Sequence, residues 1–329
     1  MNKRNLLFLL IIICMILVSC SQSNYEPSYV ISALAASPTG YILTCGDKGV
    51  IGLTQDTHKW RYDTIDEALS FFDAVFFKDQ FILLGEDLSS DKKVLCFYHP
   101  DTQKWTLTQY DGRVGHIEVA NNQLFLLSTD SIEVSDNGSE WTEIDFPIVA
   151  KNLGEGFYIK NDPNCIVYDG KNYIITGGGN FVATSPDLTE WDIKVENGEG
   201  SGSSLGIATN GQRNVIVGDH LYVACADAKS NTWSVLEDNQ SIKDIDAISD
   251  YYTLCLYDVA TDGKKFVAVG ARNLFLNSEN GVEWTIAKTN IGPEFKVIKT
   301  IKWNGERFVC LRDNELFSSP DGENWSKIE

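Results

Sequence analysis

The side chains best placed to do chemistry in this 329-residue chain are few and scattered. Asp73 and Asp258 lie on strand-like segments. A pair of carboxylates flanking a sugar bond is the minimum for glycoside hydrolysis, one giving a proton and the other acting as base or nucleophile. His58, His99, His116 and His220 show no zinc-like spacing. Cys45, Cys96, Cys165, Cys225, Cys255 and Cys310 form no CxxC pair and sit inside apolar runs, as in Phe308-Val-Cys310-Leu311. They read as small buried hydrophobes rather than disulfide or metal partners. Asp87 and Asp91 offer loop carboxylates to calcium without an EF-hand pattern. There is no phosphate loop and no GxSxG. The sequence therefore names no catalytic residue, no metal ligand and no cofactor.

The best-specified modification site is Cys20. The chain opens with Lys3 and Arg4, runs apolar from Leu6 to Val18, and reaches Leu17-Val18-Ser19-Cys20. A basic start, a short apolar stretch and a small residue before the cut describe an export signal over residues 1–19. The last four residues resemble the lipobox of bacterial lipoproteins. That resemblance implies acylation of Cys20, palmitate included, and export to the cell envelope on a lipid anchor. Ser21 rather than Asp at the next position implies the outer membrane, where the organism has one. Residues 20–28 then form a short polar tether, and residues 29–329 the body.

The net charge of −19 becomes −21 once Lys3 and Arg4 leave with the signal. That excludes nucleic acid and an anionic membrane surface as partners. The membrane contact expected is the lipid alone, and the body is expected to be a monomer.

The elements that position these residues follow from one repeated phrase. It ends in Trp60, Trp105, Trp141, Trp191, Trp233, Trp284 and Trp325, and reads Ser278-Glu-Asn280-Gly281-Val-Glu-Trp284 and Ser319-Pro-Asp321-Gly322-Glu-Asn-Trp325 in its clearest copies. A period of ~40–50 residues with strand-like segments is a radial β-array, and seven copies make seven blades. In the sixth copy, strands are expected at Tyr257–Thr261, Phe266–Gly270, Asn273–Asn277 and Trp284–Ala287, with a tight turn at Asp262-Gly263. Similar turn pairs recur at Thr39-Gly40, Asn121-Asn122, Asp169-Gly170, Asn210-Gly211 and Asn304-Gly305. The expectation is an all-β protein, a seven-bladed β-propeller of four-stranded antiparallel blades closed without strand exchange. Trp141, Trp191, Trp284 and Trp325 should be largely buried.

The phrase resembles the box of the Asp-box, or BNR, propellers, which include sialidases, sortilin-type receptors, some glucanases and a photosystem assembly factor. The resemblance implies that the box serves structure. A sialidase needs a cluster of three arginines, and Arg61, Arg113, Arg213, Arg272, Arg307 and Arg312 are too dispersed to form one.

Function is expected on the opposite face, where the insertions gather. One is the acidic stretch Glu86–Asp91. Two others are the long connections Pro147–Asn164, with Phe157 and Tyr158, and Asn239–Leu254, with Tyr251 and Tyr252. Long loops on one face of a rigid scaffold are where binding usually sits. These aromatics either stack a sugar or anchor a protein, or fold down to hold their own loops. The expected function is a non-catalytic envelope scaffold that binds a protein or glycan. The alternative is a polysaccharide-active enzyme using Asp73 and Asp258, with Asp258 in a column otherwise filled by the small residues Ala35, Ala74, Cys165, Gly206 and Thr300 and the larger Ile117.

Overall fold

A computed structural model describes residues 29–147, 150–154, 157–160, 162–195, 202–230, 232–236, 254–287, 289, 291–292 and 296–328. Cys20, the signal and the tether, Tyr251 and Tyr252 lie outside the described residues. The chain divides into two compact units, Met1–Val30 and Ile31–Glu329.

The second unit is a propeller of seven four-stranded antiparallel blades, each built from contiguous chain. The inner strands are Ile31–Ala36, Leu69–Phe77, His116–Ala120, Pro163–Tyr168, Ser204–Thr209, Leu256–Thr261 and Ile298–Trp303. The second strands are buried along nearly their whole length, as in Phe266–Gly270 and Phe308–Arg312, because neighbouring blades cover both of their faces. The core is accordingly divided into slabs between blades. Leu43, Phe71 and Phe81 lie in the slab between blades 1 and 2, and Val267, Phe275 and Phe308 in that between blades 6 and 7.

The inner hairpins turn where expected. Gly40, Gly170, Gly211, Gly263 and Gly305 all have φ between 77° and 96°. The box also folds as a unit. Thr54, Ser135, Ser185, Ser278 and Ser319 each accept, through the hydroxyl, from the N–H three residues on, at 2.8–3.1 Å. The carboxylate or amide oxygen of Asp56, Asn137, Asp187, Asn280 and Asp321 accepts from N–H groups just beyond it. Gly322 shows why glycine recurs at the box centre. Its φ is 77°, and a Cβ there would come within 2.7 Å of Val267 in the preceding blade. Its carbonyl accepts from both Trp325 Nε1 and Asn277 Nδ2, so blade 6 grips the box of blade 7.

Three expectations need correction. Trp284 and Trp325 are buried, but Trp141 and Trp191 are only partly so, and Trp105 is 43% exposed. In the buried pair the indole folds back over the box and donates to the glycine carbonyl. In the second copy the left-handed residue is Gln103, and Trp105 instead opens a fully formed outer strand, Trp105–Tyr110. The acidic insertion is mostly not a loop. It lengthens the second and third strands of blade 2 to Gln80–Asp87 and Lys92–Tyr98, clamped by a 2.8 Å Glu86–Lys93 ion pair. The Pro147–Asn164 connection contains a two-stranded hairpin, Ala150–Gly154 with Phe157–Lys160, so Phe157 and Tyr158 stand on a strand.

The ring closes by side-chain and backbone hydrogen bonds between blades 7 and 1. On the box face, Asn304 Nδ2 donates to the Gly40 carbonyl at 3.1 Å, and Gly40 N–H donates back to the Asn304 carbonyl at 3.1 Å. On the other face, Ile31 N–H donates to Asn314 Oδ1 at 3.0 Å. Asn304→Ala should cost about 1–3 kcal/mol, the usual penalty for orphaning a buried hydrogen-bonding group, read as a lower urea midpoint. Trp325→Ala should cost about 3–5 kcal/mol and Trp105→Ala less than about 1, because only the first empties a core site. Equal shifts for the two tryptophans would contradict the burial pattern.

Candidate functional site

Three spaces in the ring are lined by charged residues: a depression of about 590 Å³ on the box face beside Asp56, Lys59, Arg61 and Asp101, the axial channel, and a groove on the face carrying the blade-to-blade loops. The channel is set by a repeated irregularity. In six inner strands the pairing with the second strand slips by one residue, between Ile31 and Ala33, Phe71 and Asp73, Pro163 and Cys165, Ser204 and Gly206, Leu256 and Asp258, and Ile298 and Thr300. Such a bulge re-aims the side chains around it. The residue after it defines a ring around the axis: Ala33, Asp73, Cys165, Gly206, Asp258 and Thr300, with His116 in the unbulged blade 3. Ala35, Ala74 and Ile117, expected in this column, lie one or two residues further down the strands. The bulge is invisible to a count of alternating residues.

Asp73 and Asp258 therefore occupy equivalent places, and they do the same work. Asp73 Oδ1 accepts from Ala74 N–H at 2.8 Å, and its Oδ2 from Ile117 N–H of blade 3 at 3.0 Å. Asp258 Oδ1 accepts from Val259 N–H at 2.9 Å, and its Oδ2 from Ile301 N–H of blade 7 at 3.0 Å. An inner strand is a sheet edge, so N–H groups on its axial side have no ladder partner. Each aspartate supplies one and ties its blade to the next. Asp258 Oδ2 also accepts from Thr300 Oγ1 at 2.8 Å and Lys302 Nζ at 3.0 Å. Gly206 leaves room for this: a Cβ there would fall 2.8 Å from Asp258 Cα.

Lys299 lines the channel too, and sequence reading passed over two further charges there that share one level, Glu118 and Lys302. They sit two residues beyond the ring of column residues, where the other blades place Ala35, Val75, Val167, Ala208 and Ala260. A charged residue at an otherwise small or apolar inner-strand position was the available signal, and it becomes readable only once the register is known. Burial pushes the Glu118 carboxyl up to about 7, with Asp73 and Asp258 adding to the rise and Lys302 opposing it. Burial pulls the Lys302 ammonium down, but Asp258 and Glu118 outweigh it and hold the group above its ordinary range. His116 Nδ1 lies 3.6 Å from Asp73 Oδ2, and that carboxylate raises the imidazole. The channel cavity measures about 650 Å³.

The groove, about 510 Å³, lies between blades 2 and 3 and the entry to blade 4. Lys92, Lys93, Tyr110, Arg113 and Val114 form part of its wall. Lys92 pairs with Asp111 at 3.1 Å, whereas the exposed Arg113 has no ion-pair partner among the described residues. His116 and Asn164 line both groove and channel, so the groove leads to the channel mouth. Phe157 and Tyr158 stand on the hairpin inserted in the blade 3-to-4 connection, which ends beside this groove at Asp162–Asn164.

The remaining candidates resolve as follows. Arg61 donates to Pro100 O and Tyr98 Oη, and Arg312 to Ile291 O and Glu315, away from the axis. Asp87 accepts from the hydroxyls of Ser89 and Ser90. No group of three or more His, Cys, Asp or Glu among the described residues is arranged to hold a metal. The six cysteines are unpaired thiols, Cys255 half-buried and the rest buried.

No protein-family model matches the chain, and no curated protein matches it in sequence. Its fold is similar to solved structures. YCF48 bound to D1 peptide superposes with a TM-score of 0.61 at 15% identity, over 88% of this chain and 92% of that one. YCF48 from Cyanidioschyzon merolae gives 0.62 at 14% identity, over 90% and 96%. The RRP9 WD40 repeats give 0.60 at 12% identity, over 88% of both chains. At these identities the likeness is one of fold.

The raised Glu118 carboxyl has a consequence for stability. A carboxyl raised on folding favours the native state below its unfolded value, near 4.5, and that contribution is lost as pH rises through about 7. Glu118→Gln removes this penalty. The melting temperature of the variant relative to wild type should therefore rise between pH 5 and pH 8. A difference that stays flat across that window would show that Glu118 is not held neutral by the channel.

Proposed function

We propose that this chain is a non-catalytic propeller that binds a protein partner through its loop-bearing face, held at the cell envelope by lipid on Cys20. The groove of blades 2 and 3 carries the reading: an open depression with an exposed Arg113, unpaired among the described residues, beside Tyr110 and Val114. Aromatic and arginine side chains are the usual anchors of protein interfaces. The box loops spend their polar groups on their own backbone, and Asp73 and Asp258 give both oxygens to backbone N–H groups. A propeller of similar fold with a bound peptide supports the same reading. In this proposal Phe157 and Tyr158, and Tyr251 and Tyr252, extend the contact surface beyond the groove.

Crosslinking from native membranes, followed by binding assays with the purified partner, tests this. Arg113→Ala, or Phe157→Ala with Tyr158→Ala, should weaken partner binding at least about tenfold, the loss of one interface anchor. The box-face substitution Glu140→Ala should leave it unchanged. Cys20→Ser should release the protein from the membrane fraction or leave the precursor uncut. Equal binding by all variants overturns the assigned face. Cleavage of an envelope glycan by the purified protein, abolished by Asp258→Asn, replaces the scaffold reading with an enzyme.

A further inference from the structure

We infer that the axial channel binds a single ammonium or guanidinium group, the tip of a lysine or arginine side chain inserted from the loop-bearing face. The identity of the donor as a partner protein rests on the proposed function; the channel site itself does not.

The argument starts from which charges are already satisfied. Asp73 and Asp258 each use both oxygens on backbone N–H groups, and Asp258 holds the Lys302 ammonium as well. Glu118 accepts no hydrogen bond among the described residues. It is half-buried and lines the open lumen. Among the described residues it has no hydrogen-bond donor, so its lone pairs are open to a donor that enters the lumen. Lys302 donates to Asp258 rather than to Glu118, and acts on Glu118 through its charge alone.

The chemistry of the missing donor follows. Asp73, Glu118 and Asp258 line the lumen together with Lys299 and Lys302, and among the described residues Glu118 is the lining carboxylate still open to a donor. The described residues hold no cluster suited to a metal ion, so the cation is organic, with N–H donors. Val119, Val167, Ile207 and Ala260 also line the lumen. Such walls suit the methylene stem of lysine or arginine, which buries its chain while its head finds charge. The mouth, at His116 and Asn164, is shared with the groove, so a segment lying in the groove has a side chain's reach to the axis.

The charged groups facing Glu118 are Lys302 from blade 7, Asp73 from blade 2, Asp258 from blade 6 and His116 from its own strand. With the Glu118 carboxyl at about 7, an entering cation expels a proton, and affinity should rise about tenfold from pH 6 to pH 8. His116 loses charge as pH rises, which acts in the same direction.

The test is calorimetric titration of the full-length protein in detergent with N-acetyl-lysine methylamide, with N-acetyl-norleucine methylamide as the uncharged isostere. The lysine derivative should bind and the norleucine derivative should not. Affinity should rise from pH 6 to pH 8. At pH 6.5 the heat should vary with the ionisation enthalpy of the buffer, reporting the released proton in the unmutated protein. Glu118→Gln should weaken binding at least about tenfold and abolish the buffer dependence. Absence of binding at millimolar probe, equal binding of norleucine, or unaltered binding by the variant overturns the inference. Tighter binding of free spermidine than of the lysine derivative overturns the assignment to a side chain. If the lysine derivative fails to bind while loop-face variants still abolish partner binding, only the channel site falls. If it binds while loop-face variants leave the partner untouched, the channel site stands and the assigned face falls.

Discussion

The bare inner edge of each blade is the constraint from which the rest of this ring follows. A four-stranded sheet leaves one edge at the rim, where water satisfies it, and one at the axis, where space and water are scarce. Seven such edges meet around the channel. Their N–H groups must be met by something small, polar and correctly aimed. Bulges in six of the inner strands do the aiming, and Asp73 and Asp258 do the accepting, each across a blade boundary. Cys165 follows the same rule in the other sense, its thiol donating to the Leu205 carbonyl of the next blade at 3.2 Å. What looks in sequence like a sparse catalytic pair is in space part of the seam that holds the ring together.

Sequence carried the rim better than the axis. The Trp phrase and the turn glycines are local, since each acts through residues within a few positions of itself, as Ser319, Asp321 and Gly322 do. Their effect is therefore written contiguously, and blade count, strand order and closure could be read from it. The axis is assembled from residues about forty apart whose alignment depends on where a bulge falls. A slip of one residue is enough to put Ala74 where Asp73 belongs, and Glu118 and Lys302 then lose their meaning as a shared level. The tryptophans show the same limit at smaller scale. The phrase placed all seven, but burial of Trp284 and exposure of Trp105 depend on the loop beneath and the blade beside each one.

The two faces of the ring divide the work. On the box face, hydrogen bonds run inward and sideways, from Asn277 to Gly322, Lys265 to Asp321 and Lys78 to Asp136, so each blade holds its neighbour's loop. Changing a residue there disturbs two blades at once. On the opposite face the connections vary in length and carry the extended hairpin of blade 2 and the inserted hairpin before blade 4. Variation is tolerated because those segments extend pairings already present and leave the blade boundaries alone. A surface free to vary on a frame that is not is the arrangement recognition requires.

Glu118 fits neither the seam nor the frame. The five other positions at its level outside blade 7 are alanine or valine, and an apolar residue there would cost the fold nothing in desolvation. Lys302 faces it as a charge, but its hydrogen bond goes to Asp258 at 3.0 Å, on an oxygen that also takes the Ile301 N–H and the Thr300 hydroxyl. A carboxyl held near neutral pH by its surroundings destabilises the native state at every pH where it is ionised. Residues that weaken a fold without repaying it within the fold concentrate where something else is meant to bind. Among the described residues Glu118 is a lumen carboxylate that accepts no hydrogen bond, beneath a groove on the variable face, and that places its cost on the path a partner's side chain would take.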